Sequence, residues 1–201
     1  EFLTLKLSSG YNMGLRVQGL VFVEKIPFTS VQNPNAITVD KLADKVQLNT
    51  TLPGISIIGV GGTIASKVDY KNSGVIAKLS PAELLTKVPQ IQEFALVQRV
   101  VSPFTKMSED NTPADWTRMA AACHEELIKP EVKGVVLTHG TDTLHYTAAA
   151  LSFMLRNLGK PVVLVGSQRS SDRGSTDAIL NLTCAARAAI SDVAEVGICM
   201  H

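Results

Sequence analysis

The stretch Gly134-Val-Val-Leu-Thr-His-Gly-Thr-Asp-Thr143, continuing into Leu144-His-Tyr-Thr-Ala-Ala-Ala-Leu151, decides how the whole chain is read. Its first five residues form a short apolar run without alternation, the pattern of a strand covered on both faces. A loop of hydroxyls, an imidazole and a carboxylate follows. A helix then runs from about Leu144, with Ala148, Leu151 and Leu155 on one face and Gly159 expected to supply its C-terminal stop. The same strand, polar loop and helix recur on either side. Upstream, residues 55–60 read as a strand, Ser80-Pro-Ala-Glu83 as a capping box opening a helix to about Val88, and residues 94–101 as a strand. Thr112-Pro-Ala-Asp115 opens a further helix, on which Trp116, Met119, Ala120, Cys123 and Leu127 recur at helical spacing. Downstream, residues 161–165 read as a strand, Ile179, Leu182, Ala186 and Ala189 mark a helix, and residues 195–200 read as a last, buried strand. The expected fold class is α/β, a parallel sheet with helices on both faces.

Ahead of this rhythm the composition changes. Residues 1–26 read as part of a small β domain, with an apolar run at Phe2, Leu3, Leu5 and Leu7, a Ser8-Ser-Gly-Tyr-Asn12 turn, and a second run from Leu15 to Val23 broken by Gly19. Residues 27–54 are rich in Thr, Asn, Gln and Asp with three prolines and read as a linker; residues 55–201 form the α/β domain. The chain opens inside an apolar alternation and closes in a strand, so it is expected to be part of a longer polypeptide.

At 201 residues, 45% hydrophobic and 18% charged, the chain is large enough for a substantial core and too apolar for disorder. Nineteen basic against 18 acidic side chains leave a formal net charge of +1, which gives no global field to recruit nucleic acid or an anionic membrane. An aromatic share of 5% offers few stacking platforms. The apolar stretches fall short of the ~20 residues a membrane helix needs. Cys123, Cys184 and Cys199 are too few for a disulfide framework or a zinc site, and inert packing in a reducing cytosol is expected.

Ligands of open parallel sheets sit beyond the carboxyl ends of the strands. The four segments leaving those ends are Gly59-Val-Gly-Gly-Thr-Ile-Ala-Ser66, Ser102-Pro-Phe-Thr-Lys-Met-Ser-Glu-Asp110, Thr138-His-Gly-Thr-Asp-Thr143 and Gly166-Ser-Gln-Arg-Ser-Ser-Asp172. All four are rich in hydroxyls, carboxylates and glycine, whereas the opposite strand ends are bland. Gly59-Val-Gly-Gly lacks the third glycine of a dinucleotide loop, no phosphate loop is present, and no His or Cys cluster has metal-ligand spacing. The candidate nucleophiles are therefore hydroxyls. On spacing alone Thr63 suits a turn cap as well as a nucleophile, and Thr141 and Asp142 suit a helix cap as well as a site. Glu109 and Asp110 read as solvated charges, Gln168 and Arg169 as a helix-entry loop, and His124 and His145 as surface or core-edge residues.

Together these segments resemble the asparaginase/glutaminase amidohydrolase family. Gly61-Gly-Thr-Ile-Ala65 is similar to its first threonine motif and His139-Gly-Thr-Asp-Thr143 to its second, in the family's order, and the match runs from about residue 55 to the end. Val68-Asp-Tyr-Lys71, Gln168-Arg-Ser-Ser-Asp-Arg173 and the β segment with its Lys6-Leu-Ser-Ser-Gly-Tyr-Asn12 turn resemble one subgroup, the D-type subunits of archaeal glutamyl-tRNA(Gln) amidotransferases. The resemblance implies a glutaminase half-reaction with Thr63 as nucleophile, assisted by Tyr70. It implies a second polar group of Thr141, Asp142 and a lysine, Ser108 on the substrate α-carboxylate, and Glu109 with Asp142 on the α-ammonium. Backbone amides near the glycines would stabilise the oxyanion. It implies no cofactor in this chain, with ATP and Mg at the E-type partner subunit of the amidotransferase, which also does most of the tRNA reading. A homodimer through a C-terminal domain, a cytoplasmic location and no membrane contact complete the expectation. Gly174 stands where the subgroup has proline. The family's lysine falls beyond His201, and Lys67, Lys71 and Lys106 lie in the wrong segments, so the chain alone is expected to be inactive or nearly so. A free-standing L-asparaginase and a non-catalytic α/β binding module remain as alternatives.

Overall fold

The structure, a computed structural model, describes residues 2–6, 12–16, 51–69, 74–77 and 88–200. Near the N-terminus β1 (Phe2–Lys6) pairs antiparallel with β2 (Asn12–Arg16), in a register that sets Phe2 opposite Arg16 and Lys6 opposite Asn12. The second strand thus opens at Asn12 rather than at the apolar run from Leu15, because the ladder is made by backbone groups and needs no apolar side chain to begin.

The main body is a five-stranded sheet. β3 (Gly54–Gly59), β6 (Leu96–Val101), β7 (Val132–Thr138), β8 (Val162–Val165) and β9 (Val196–Ile198) pair in parallel in the order β6-β3-β7-β8-β9. A short antiparallel pair, β4 (Ser66–Asp69) with β5 (Gly74–Ala77), follows β3. The helix expected from Ser80 lies outside the described residues; a 3-10 segment, Pro89–Glu93, leads into β6. Three α-helices connect the later strands: α1 (Pro113–Leu127), α2 (Leu144–Met154) and α3 (Ala178–Ala189). α1 opens after Thr112 as expected, and on a capping box, with the Asp115 carboxylate accepting from the Thr112 amide at 3.0 Å and hydroxyl at 2.8 Å.

Alternation along the strands divides the core in two. Ile55, Ile57, Val136, Val163 and Val165 point to the face covered by Ala178, Leu182, Ala185, Ala186 and Ala189 of α3. Ile58, Val135, Leu137, Val162 and Leu164 point to the other, against Met119 and Cys123 of α1 and Leu144 and Leu151 of α2. Each fully buried Leu or Ile contributes about 1.5–3 kcal/mol relative to exposure. The parallel sheet with helices on both faces is as expected. The connections β6–α1–β7, β7–α2–β8 and β8–α3–β9 all step in one direction across the sheet, yet α3 lies on the opposite face from α1 and α2. The last crossover therefore has the opposite hand to the other two, a departure from a nearly universal rule.

Three local expectations are corrected. α2 ends at Met154, and the left-handed residue beyond it is Asn157 (φ 55°), not Gly159. β9 is an exposed edge, with Ile198 44% accessible, because no described strand pairs on its outer side. Ile179 faces solvent, and Asn181 and Ala185 take places on the buried stripe of α3.

The strand order places the site. From β3 the chain leaves toward β6, and from β7 it leaves toward β8 on the opposite side. Connections that part in this way open a crevice between the carboxyl ends of β3 and β7.

Candidate active site

Two glycine turns meet in that crevice. Gly61 and Gly62 have φ of 110° and 76°, a backbone that L side chains rarely adopt. A methyl built on Gly62 would collide with the nitrogen and α-carbon of Gly140, so only hydrogen lets the two backbones touch. Thr63 follows the first glycine of this contact and Thr141 the second. Thr63 opens a 3-10 turn, Thr63–Ala65, that is anchored by buried Ile64 and closed by the Ala65 amide on the Gly62 carbonyl at 3.1 Å. The backbone of Lys106 clamps this loop: its amide donates to Val60 O (3.0 Å) and its carbonyl accepts from the Gly62 amide (3.1 Å). The Gly62 amide is thereby spent, and it is not one of the free donors expected near the glycines.

The loop after β6 is sewn to the loop after β7. Ser108 is buried, and its carbonyl accepts from Thr143 Oγ1 at 2.8 Å. A methyl on Gly140 would lie 2.6 Å from Ser108 Oγ, so this glycine touches both neighbours of the crevice. On the outer side, Lys106 Nζ donates to Asp115 Oδ2 at 2.7 Å. That bond, with those from Thr112, holds the Asp115 carboxyl down at about 2.

The loop after β8 has its own brace. The Asp177 carboxylate accepts from the amides of Gln168 and Arg169, and Asn181 donates both to it and to the Gly166 carbonyl. Burial alone would raise the Asp177 pKa; these backbone donors reverse it and leave the value lowered. A methyl on Gly166 would sit 2.9 Å from Thr141 Cγ2, which fixes this loop as the wall beside Thr141.

Against these committed groups stand several uncommitted ones. Among the described residues, the hydroxyls of Thr63 and Thr141 and the carboxylates of Glu109 and Asp142 make no hydrogen bond or ion pair. Thr63 and Thr141 are half-buried; Glu109 and Asp142 are exposed at the rim. Tyr70 lies outside the described residues. His124 and His145 are exposed. Of the cysteines, Cys123 is buried and its thiol is pushed up to about 12, but Cys184 is exposed on the outer side of α3, contrary to the packed position expected for it. Among the described residues no group of three or more His, Cys, Asp or Glu is placed to hold a metal ion, and no helix is long and apolar enough to cross a membrane.

One residue of the site loop was not singled out by spacing. His139 is fully buried, with its ring nitrogens in contact with Asn111, Thr147 and the Gly140 carbonyl. Its burial pulls its pKa below the ordinary histidine range, opposed by the bond to Gly140. Its position beside Gly140 was visible in the sequence; its partners, from 28 residues upstream and eight downstream, were not.

The sequence matches the family description "Asparaginase, N-terminal" over residues 54–201. The chain belongs to the asparaginase family. It is similar along its length to two members named as the D subunit of glutamyl-tRNA(Gln) amidotransferase. Identity is 48% with that of Thermococcus kodakarensis, over 100% of this chain, and 42% with that of Archaeoglobus fulgidus, over 98%. In both cases the chain spans 44% of the relative's length. Among solved asparaginase structures, the L-asparaginase of Thermococcus kodakarensis matches at TM-score 0.65 and 34% identity, covering 73% of this chain and 43% of that one. L-asparaginase I of Vibrio cholerae matches at 0.64 and 34%, covering 73% and 44%. The asparaginase assignment accounts for the parallel sheet with helices on both faces.

Proposed function

We propose that this chain carries the glutaminase half of a tRNA-dependent amidotransferase. It hydrolyses glutamine in the cytoplasm and supplies ammonia to an E-type partner subunit, which uses ATP and Mg to convert glutamyl-tRNA(Gln) to glutaminyl-tRNA(Gln). Thr63 Oγ attacks the side-chain carboxamide carbon while its proton passes to a base. The C–N bond breaks, nitrogen takes a proton and leaves as ammonia, and an ester remains on Thr63. Water activated at Thr141 and Asp142, with a lysine supplied by the longer chain, hydrolyses that ester to glutamate and restores the hydroxyl. Ser108 holds the α-carboxylate, and Glu109 and Asp142 the α-ammonium, a fitting use of two carboxylates on one cation. Tyr70 assists Thr63. With the Gly62 amide occupied, oxyanion donors come from the Thr63 or Thr141 side of the glycine contact. The parent protein works as a homodimer through its C-terminal domain and leaves tRNA mainly to the partner.

The observation that carries this reading over a free-standing asparaginase is extent. Similarity to the amidotransferase relatives covers the whole chain, including residues 1–53, which lie outside the asparaginase match. The asparaginase reading rests on the solved neighbours and predicts efficient asparagine hydrolysis without a partner. Both readings are tested with the full-length protein. Glutamine hydrolysis that rises with partner and glutamyl-tRNA and vanishes in Thr63→Ala supports the proposal. Unchanged hydrolysis in Thr63→Ala overturns the nucleophile, and efficient partner-free asparagine turnover overturns the amidotransferase role.

A further inference from the structure

We propose that His139 is a positioning residue for the chemistry of Thr63 and Thr141: a neutral imidazole, held from behind by Asn111 and Thr147, that grips the Gly140 carbonyl and sets the spacing of the site loops. This deepens the glutaminase reading and rests on it.

The directions around the ring are set by the Trp116 indole and the Gly140 carbonyl, each of which has only one possible role. The Trp116 indole N–H is a donor only, and it points at Thr147 Oγ1 from 3.0 Å. Thr147 therefore has its own proton free to give to His139 Nε2, 2.9 Å away. Asn111 Nδ2 gives a second hydrogen to the same nitrogen at 3.0 Å. On the other side of the ring, Nδ1 lies 2.7 Å from the Gly140 carbonyl, which can only accept. Nδ1 must carry the proton, and the single lone pair of Nε2 is shared between the Thr147 and Asn111 donors. The imidazole is thus fixed in one tautomer and one orientation, with no exposed surface at all.

What the ring holds makes it more than a satisfied core histidine. Gly140 is the residue against which both neighbouring loops are packed: Gly62, next to Thr63, on one side and Ser108 on the other. Thr141 and Asp142 follow it directly. A peptide in contact with both loops can rock if its carbonyl is untethered, and a shift of about 1 Å at a reacting group costs about 100-fold in rate. His139 does not reach the crevice, so it acts only through Gly140.

The test uses the full-length protein with its partner and compares two amides. In His139→Asn, the side-chain Nδ2 takes the place of Nδ1 and keeps a donor for the Gly140 carbonyl. In His139→Gln, the longer side chain reaches Asn111 and Thr147 but leaves that carbonyl without its donor. The expected result is kcat within about threefold of wild type for Asn and lowered about tenfold or more for Gln, beyond any change in KM. Equal kcat in the two variants, or losses that merely track thermal stability, would overturn the proposal. Should the variants not fold, 15N NMR of the histidine-labelled wild type decides: a proton on Nδ1 between about pH 6 and 8 supports it, and one on Nε2 alone overturns it. A Thr63→Ala control separates the two levels. Residual full activity there sinks the glutaminase reading, whereas a dead Thr63→Ala beside equally active His139 variants sinks only the positioning role.

Discussion

Gly62 lies against Gly140 with room for hydrogen and nothing larger, and this contact joins the two threonine loops across the switch point of the sheet. The two glycines differ in what a methyl would meet. At Gly62 it would strike backbone from a left-handed conformation; at Gly140 it would strike the buried Ser108 side chain, Oγ at 2.6 Å and Cβ at 2.7 Å. Gly62→Ala is expected to lower kcat for glutamine about 100-fold or more. Gly140→Ala is expected to act mainly through Ser108 and to raise KM. Steady-state kinetics on both variants check this, and a wild-type kcat in Gly62→Ala would show that the contact is not needed.

On the proposed mechanism, which uses a lysine of the longer protein, the 201-residue chain by itself is expected to hydrolyse glutamine at least about 100-fold more slowly than the full-length protein with its partner. Four lysines are engaged elsewhere: Lys106 with Asp115, Lys129 with Glu126, Lys133 with Asp192, and Lys160 with the carbonyls of Leu127 and Lys129. Ammonia release, measured on chain shown to be folded by circular dichroism, checks it; equal rates would mean that the second polar group is complete without a further lysine.

Asp115 predicts an acid limb of stability. Its carboxyl is lowered from 3.8 to about 2, first by the Lys106 bond and then by those from Thr112. A folded-state value below the unfolded one gives stability that is fully present above about pH 4 and lost as pH falls through about 2. Asp115→Asn is expected to be less stable than wild type at about pH 7, to converge with it near pH 2, and to show a shallower slope between. Urea unfolding across that range tests the claim. Parallel curves would mean that the Lys106–Asp115 bond contributes nothing to folding.

Thiol labelling reads the packing of α1 and α3. The thiolate is the reactive form, and burial suppresses it at Cys123, whose pKa is pushed up to about 12. Peptide mapping after maleimide treatment is expected to show Cys184 modified first, half-buried Cys199 more slowly, and Cys123 only on unfolding. Fast labelling of Cys123 in native protein would contradict the packing of α1 on the sheet.

The sheet was legible because apolar runs such as residues 55–58 and 134–137 lie between turn and cap signals, and burial on both faces leaves no other use for them. Thr112 with Asp115 announced α1 because a capping box is a local device. The ends of α2 and β9 were less legible. The left-handed turn fell on Asn157, which tolerates it better than most residues that carry a side chain, and the exposure of β9 depends on what pairs beyond it. Cys184 and Ile179 were misplaced for a related reason. Helical spacing shows that an apolar stripe exists, but small residues such as Ala185 and Ala189 mark the buried side of α3 only once the sheet is in place.

The amino-acid sequence alone determined that strands would alternate with helices and that four polar loops, with Thr63 and the Thr141-Asp142 pair among them, would leave the same ends of those strands. Local propensity and periodicity suffice for that, since each depends on neighbours within a turn or a strand. Only the tertiary structure decided that Gly62 would touch Gly140, that α3 would cross to the opposite face, and that His139 would be enclosed by Asn111, Thr147 and the carbonyl beside it. Those facts are set by which strands become neighbours, a long-range choice that no stretch of the chain carries by itself.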